Sequence, residues 1–184
     1  MLDKYTVDTI ERARAGDPAV ISKLYEQYHA GIFKYLYYRL GDIHTAEDLT
    51  SEVFLRMIRS LPFYRDKGVN IQAWLFQIAR NLVIDHYRKA NTNQHVELND
   101  DLVSRDPDPC SSVESNLTTD QLRQALAQLN DYQRDVLVLR FIACMPIAQV
   151  AQTLNKSEDT IKGLQRRGLI ALRKVFYKKE VSDV

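Results

Sequence analysis

No stretch of this chain approaches the ~20 consecutive apolar residues a membrane-spanning helix needs. The N-terminus, MLDKYTVDTIERARAGD, also lacks the apolar core of a secretion signal. Cysteine is nearly missing: Cys110 and Cys144 stand alone, and with no C-x-x-C pair they form neither a zinc motif nor a disulfide framework. Cys144 falls in an apolar helical run and is expected as a small buried hydrophobe, so a reducing, cytoplasmic setting follows. No glycine-rich phosphate loop is present, and GDPAV is a helix-start signal. His29, His44, His86 and His95 are scattered without metal or triad spacing. Catalysis, a bound metal, an organic cofactor and a small-molecule substrate are therefore not expected. Strand alternation is nearly absent, no internal repeat occurs, and a formal charge of +1 gives no overall cationic signature.

What is present is helical periodicity and an uneven distribution of charge. Residues 1–90 carry 13 Lys and Arg against 11 Asp and Glu, residues 91–120 carry 1 against 7, and residues 121–184 carry 11 against 6. A neutral total thus conceals an acidic middle and a basic tail. From Asn91 to Asn116 the periodicity fails, and NTNQHVELNDDLVSRDPDPCSSVESN has the composition of a linker. The expected architecture is all-α, with helical domains at 1–90 and 118–184 joined by an acidic flexible linker over 91–117. Asp17-Pro18 reads as a helix start, a helix lies between Gly41 and Pro62, Asn70 caps the next, and Thr118 caps the first helix after the linker.

Three segments bear functional chemistry. PIAQVAQTL and SEDTIKGLQRRGLIALRK read as two helices separated only by Asn155 and Lys156, with Pro146 in the first turn of the former and Ser157 capping the latter. At 100° per residue, Ile161, Leu164, Gly168, Ala171 and Leu172 share one face. Lys162, Arg166 and Arg173 share the opposite face, with Arg167 on its flank. Small Ala151 permits close approach, and Asn155 tolerates the left-handed turn. This is helix-turn-helix spacing, with an outer face fit for a DNA major groove. In AWLFQIARNLVIDHYRK, Leu75, Phe76, Ala79, Leu82, Val83 and His86 form a core face. Trp74, Ile78, Asn81, Asp85 and Arg88 line another, with Lys89 nearby. An aromatic, an amide and cations on one stripe suit unpaired bases, and Phe63, Tyr64, Arg65 and Lys67 precede it on a loop fit for an extruded base. In TAEDLTSEVFLRM, Glu47, Asp48 and Glu52 flank apolar positions, a pattern fit for docking a basic partner helix.

In this order, AEDLTSEVFLRM, AWLFQIARNLVIDHYRK and LNDYQRDVLVLRFIACMPIAQVAQTLNKSEDTIKGLQRRGLIALRK resemble the small extracytoplasmic-function group of bacterial sigma-70 RNA polymerase sigma factors. The resemblance runs from about Ala19 to Lys174. It implies that Glu47, Asp48, Ser51, Glu52 and Phe54 contact the β′ clamp helices of the polymerase core. It implies that Phe63, Tyr64, Arg65, Lys67, Asn70, Trp74, Asn81, Asp85, Arg88 and Lys89 capture the opened −10 promoter strand. For the −35 duplex it implies Ser157, Thr160, Lys162, Gly163, Arg166, Arg167, Arg173 and Lys174. The acidic linker would thread near the polymerase's active-site and RNA-exit channels, and an anti-sigma factor, often membrane-tethered, would silence the chain until a stress response. Ser51 stands where the group commonly has Gln, Met57 where an aromatic is frequent, and Asn155 where Gly is usual. The competing reading is a stand-alone helix-turn-helix regulator whose first domain senses a ligand or dimerises.

Overall fold

The computed structural model describes residues 7–65, 70–93 and 113–182, all helical or connecting, with no strand among the described residues. Eight helices follow in order: α1 (Val7–Arg14), α2 (Pro18–Leu40), α3 (Ile43–Ser60), α4 (Ile71–Asn93), α5 (Val113–Ala127), α6 (Asp131–Leu137), α7 (Ile147–Leu154) and α8 (Glu158–Ser182). A 3₁₀ turn, Leu61–Phe63, follows α3, and a π-helical turn, Val138–Ile142, extends α6. Lys67 and Cys110 lie outside the described residues.

The helix starts are set by local chemistry. Asp17 accepts a hydrogen bond from the Ala19 N–H, and Pro18 fills the first helical position, where its missing N–H costs nothing. Hydrogen bonds from the Arg12 side chain and from Ala19 hold the Asp17 carboxyl below its usual range. Asp42 caps α3 through the Thr45 N–H at 2.7 Å, and its carboxyl too is held low, chiefly by Thr45. Asn70 caps α4 through the Gln72 N–H at 2.8 Å, as expected. Gly41 ends α2 at φ 82°, a conformation glycine adopts without strain.

Two expected boundaries move. Thr118 is not a cap: α5 already begins at Val113. Its packing residues, Leu122, Ala125 and Leu126, lie in its second half, so composition concealed the polar first turns. At the other end of the acidic segment, α4 runs on to Asn93. Pro146 sits just outside α7 as its N-cap residue, at φ −67° and ψ 156°. Cys144 is exposed rather than buried, because the chain breaks there at φ 54° between the π turn and α7.

In the N-terminal half, Leu24, Tyr28, Ile32, Leu36 and Arg39 recur at three- and four-residue spacing along α2 and are buried between α3 and α4. Met57 from α3 and Leu75 and Phe76 from α4 complete that core, each such side chain contributing roughly 1.5–3 kcal/mol. Tyr35 meets Phe76 edge to face, centroids 5.7 Å apart. In the C-terminal half, Val136, Leu139, Met145, Val150 and Ile161 are fully buried. Here α8 crosses α6 at Gly168, where a Cβ would lie 3.2 Å from the Leu137 side chain.

The two helical halves expected from the sequence pack against each other. One hydrophobic cluster runs through both, and polar contacts join them. The Gln77 side chain donates to the Gln152 carbonyl at 2.8 Å, the Asn70 N–H to the Gln152 side chain at 3.3 Å, and Thr153 Oγ1 to the Ala73 carbonyl at 3.4 Å. Asp135 of α6 is 1% exposed and reaches into the other half. It accepts hydrogen bonds from the Tyr35 hydroxyl and Arg80 Nε, both at 2.9 Å, and Arg39 Nε lies 3.0 Å from it.

The C-terminal geometry sets stability expectations at three positions. Asn155 occupies the left-handed region, φ 50° and ψ 52°, with its N–H bonded back into α7. Asn155→Val should lower unfolding free energy by about 1–2 kcal/mol, whereas Asn155→Gly should hold or raise it, as read by chemical denaturation. At Gly168, replacement by Val should cost about 1–3 kcal/mol through overpacking on Leu137. At Gly163, where a Cβ would meet only the Arg167 side chain at 3.4 Å, Ala should stabilise the chain by up to about 1 kcal/mol in the same assay.

Candidate nucleic-acid interface

The basic surface of α8 exists because its other face is committed. Ile161 is fully buried, Gly168 is pressed on Leu137, and Leu164, Ala171 and Leu172 pack on the core. Lys162, Arg166, Arg167, Arg173 and Lys174 are all exposed. The helix is started by Ser157, whose Oγ accepts the Thr160 N–H at 3.2 Å and pairs with the Thr160 hydroxyl at 2.8 Å. Lys162 bridges to Asp159 at 3.1 Å across a solvated turn, a contact that a phosphate can displace at little cost. The Arg167 guanidinium lies against Gly163, one turn back. Gln165, its neighbour, turns inward and accepts from Arg140 Nε at 3.2 Å, while Arg140 also donates to the Met145 carbonyl. Arg140 thereby ties the π turn and the break after it to α8. Leu169 and Ile170 are half exposed beside the cations.

The second surface lies on α4. Asn81 and Lys89 are exposed, Trp74 is half-buried, and Asp85 pairs with Arg88 at 3.1 Å, which offsets the carboxylate's repulsion of phosphate. Phe63 is 81% exposed and Arg65 is exposed, both available to a base or phosphate. Tyr64 is not part of that exposed loop. It is 6% exposed and packs on Trp74, with ring centroids 4.7 Å apart. It holds the indole, which keeps part of its surface open to solvent. Asn70 is half-buried, its side chain used as a cap and its N–H bonded to Gln152.

The third surface is on α3. Glu47 and Asp48 are exposed, and Ser51 is exposed while donating to the Glu47 carbonyl at 3.2 Å. Glu52 is half-buried and accepts from Arg56 Nε at 2.7 Å. Phe54 does not share this surface: it is 5% exposed, under the Tyr25 ring at 4.7 Å and near His29 at 6.1 Å. In its place the structure brings Leu55 and Ile58, each nearly half exposed, onto the face that carries Glu47, Asp48 and Ser51. An apolar centre with a charged rim is ordinary interface anatomy. The alternation of apolar positions in SEVFLRMIRS held this signal, since α3 has more apolar residues than one buried face can take.

Sequence reasoning passed over a further stripe of α4, formed by Ala73, Gln77 and Arg80 at helical spacing. It faces the C-terminal half rather than solvent. Tyr132 of α6 lies beneath two cations there, Arg80 at 5.3 Å and Lys156 at 4.3 Å from its ring centroid. The readable signal was Asp135 itself, an acid directly heading the apolar run VLVL. Among the described residues no cluster of three or more His, Cys, Asp or Glu could hold a metal ion, and no helix is long and apolar enough to cross a membrane.

Comparison with known proteins assigns both halves. The profile of Sigma-70 region 2 matches residues 24–92, and that of Sigma-70 region 4 matches residues 125–174. The chain is 37% identical to the ECF RNA polymerase sigma factor BldN of Streptomyces coelicolor over 92% of its own length and 65% of that protein's. It is 33% identical to the ECF RNA polymerase sigma factor SigX of Bacillus subtilis, over 82% of this chain and 80% of the relative. The solved structure of CnrH in complex with the cytosolic domain of CnrY shares the fold, with a TM-score of 0.73 at 19% identity over 92% of this chain and 96% of that one. Sigma factors are initiation factors and not enzymes. By its two matched regions and these relatives, the chain belongs to the extracytoplasmic-function group of RNA polymerase sigma factors.

Proposed function

We propose that this chain gives a bacterial RNA polymerase core its promoter specificity, with the three surfaces dividing the work. The apolar-centred face of α3, with Glu47, Asp48, Ser51 and Glu52 around Leu55 and Ile58, docks on the β′ clamp helices. Phe63, Arg65 and the α4 stripe of Trp74, Asn81, Asp85, Arg88 and Lys89 capture the unpaired −10 strand. Ser157, Thr160 and the outer face of α8 read the −35 duplex, Lys162, Arg166 and Arg167 at base edges and nearby phosphates, Arg173 and Lys174 on the backbone. The observation that carries this reading is a pair of exposed surfaces of different chemistry on different halves. One offers an aromatic edge and an amide for unstacked bases, the other a cationic helix for a major groove.

The division also explains why so neutral a chain can address DNA. Each half makes few phosphate contacts, so the free protein binds promoter weakly and with a steep dependence on salt, and affinity comes when the polymerase holds both halves at one spacing. An anti-sigma factor fits the same scheme by covering these faces: the relatives RpoE of Bartonella quintana and CnrH are recorded in complexes with NepR, named an anti-sigma factor, and with CnrY. The setting is the cytoplasm, where the polymerase is.

The test is transcription with purified core polymerase and a promoter library. A promoter-directed transcript that requires this chain supports the reading. A chain that fails to pull down core, yet shifts promoter duplex tightly by itself, would instead be a stand-alone regulator. Within the holoenzyme, Arg166→Ala should weaken duplex −35 binding by roughly 1–3 kcal/mol. Asn81→Ala should leave that binding intact and slow strand opening, as followed by permanganate reactivity of the −10 thymines.

A further inference from the structure

We infer that α1, which precedes the residues matched by the region 2 profile, is a positioning element for the proposed −10 surface: it braces the 3₁₀ turn that presents Phe63 and, through Tyr64, the Trp74 indole. The functional consequence rests on the promoter reading above, whereas the structural content does not.

Neighbouring residues of this turn face opposite ways. Leu61 is 1% exposed and Tyr64 is buried, while Phe63 between them stands in solvent. Pro62 presets one backbone angle, and the Tyr64 N–H closes the turn on the Leu61 carbonyl at 3.1 Å. Such a bond holds a turn loosely, because 3₁₀ hydrogen-bond geometry is poor and short runs depend on their surroundings. Packing supplies the rest. Leu61 and Tyr64 belong to the hydrophobic cluster that also takes in Ile10 and Ala13, the buried residues of α1. That helix packs on α2 and on the turn itself. On its other side Tyr64 carries the Trp74 ring. A continuous run of packed side chains therefore leads from α1 through Leu61 and Tyr64 to the indole, with Phe63 mounted on it.

The place of α1 is itself fixed. Gly16 turns the chain at φ 82°. Arg12 then donates through Nε and Nη2 to Asp17 Oδ2, at 2.9 and 2.7 Å, while Asp17 Oδ1 accepts the Ala19 N–H. One carboxylate thus ties the last turn of α1 to the first turn of α2. An exposed pair of this kind contributes little stability. It sets the angle between the helices, and Ile10 and Ala13 supply the burial. At eight residues α1 is too short to be helical alone. Its helicity comes from the contact it makes, so loosening that contact frees the turn while the α2–α4 core keeps its own packing. Holding an unpaired base needs Phe63 and Trp74 at one separation, and a supporting shell is what fixes such a separation.

The test measures the full-length chain first alone and then with core polymerase. Trp74 is the only tryptophan in the sequence, so its fluorescence reports on the turn directly. Ile10→Ala should shift Trp74 emission to the red and raise its quenching by acrylamide, with helicity by circular dichroism retained. Arg12→Ala, which frees the corner without opening the core, should do the same to a smaller degree. Asp8→Asn, on the exposed side of α1, should do neither. In the holoenzyme, Ile10→Ala should slow strand opening about tenfold with initial promoter binding unchanged, since a remote misplacement of ~1 Å can cost about 100-fold at a site. Ile10→Val, which keeps most of the buried volume, should restore the rate. Combined with Phe63→Ala, Ile10→Ala should cause no further loss, because both act through one turn. An unmoved Trp74 spectrum in Ile10→Ala and Arg12→Ala would overturn the brace. Normal opening despite a moved spectrum, or a loss that multiplies with Phe63→Ala and extends to initial binding, would overturn the positioning role. If the unaltered chain gives no promoter-directed transcript, the promoter reading fails, and the fluorescence comparison still decides the brace.

Discussion

A buried carboxylate must find partners, and the side-chain partners of Asp135 all lie in the other half of the molecule. Its neighbours Val136, Leu137, Val138 and Leu139 are all buried, so α6 cannot rotate to bring the acid to water without exposing them. Hydrophobic burial sets how much surface is covered but is indifferent to direction. Hydrogen bonds from Tyr35 and Arg80, with Arg39 alongside, supply the direction: they fix the rotation of α6, and with it the seat of α7 on α4 and the facing of α8. The candidate surfaces inherit their exposure from that choice. α8 shows its cations because Ile161 and Gly168 are spent on α6 and α7, and α4 shows Asn81 and Arg88 because Ala73, Gln77 and Arg80 are spent on α7 and α6.

Most of the fold was legible because it rests on local rules. The caps at Asp17, Asn70 and Ser157 and the left-handed Asn155 are short-range chemistry, and each is found where the residue types put it. The buried faces of α4 and α8 are periodicity. What escaped has physical causes. A polar stripe that faces another half of the same chain is indistinguishable in sequence from one that faces water, which hid Ala73, Gln77 and Arg80. An aromatic in an amphipathic helix can be lid or floor, and Phe54 and Tyr64 both proved to be floor. Cys144 was assigned to a helix face that does not exist, because a π turn and a residue at positive φ interrupt the helix there.

The same contacts redistribute charge in a way that counting residues misses. Residues 1–90 carry 13 cations against 11 acids, but Arg39 and Arg80 are turned onto Asp135, leaving 11 facing 11. Residues 121–184 carry 11 cations against 6 acids, and withdrawing Asp135 leaves 5. Outside this contact the C-terminal half is therefore more positive than its sequence states, and the N-terminal half is neutral. Long-range attraction for a polyanion is thereby concentrated on α8, and a base meeting the proposed α4 surface would be held by stacking and amide contacts, which do not depend on long-range field.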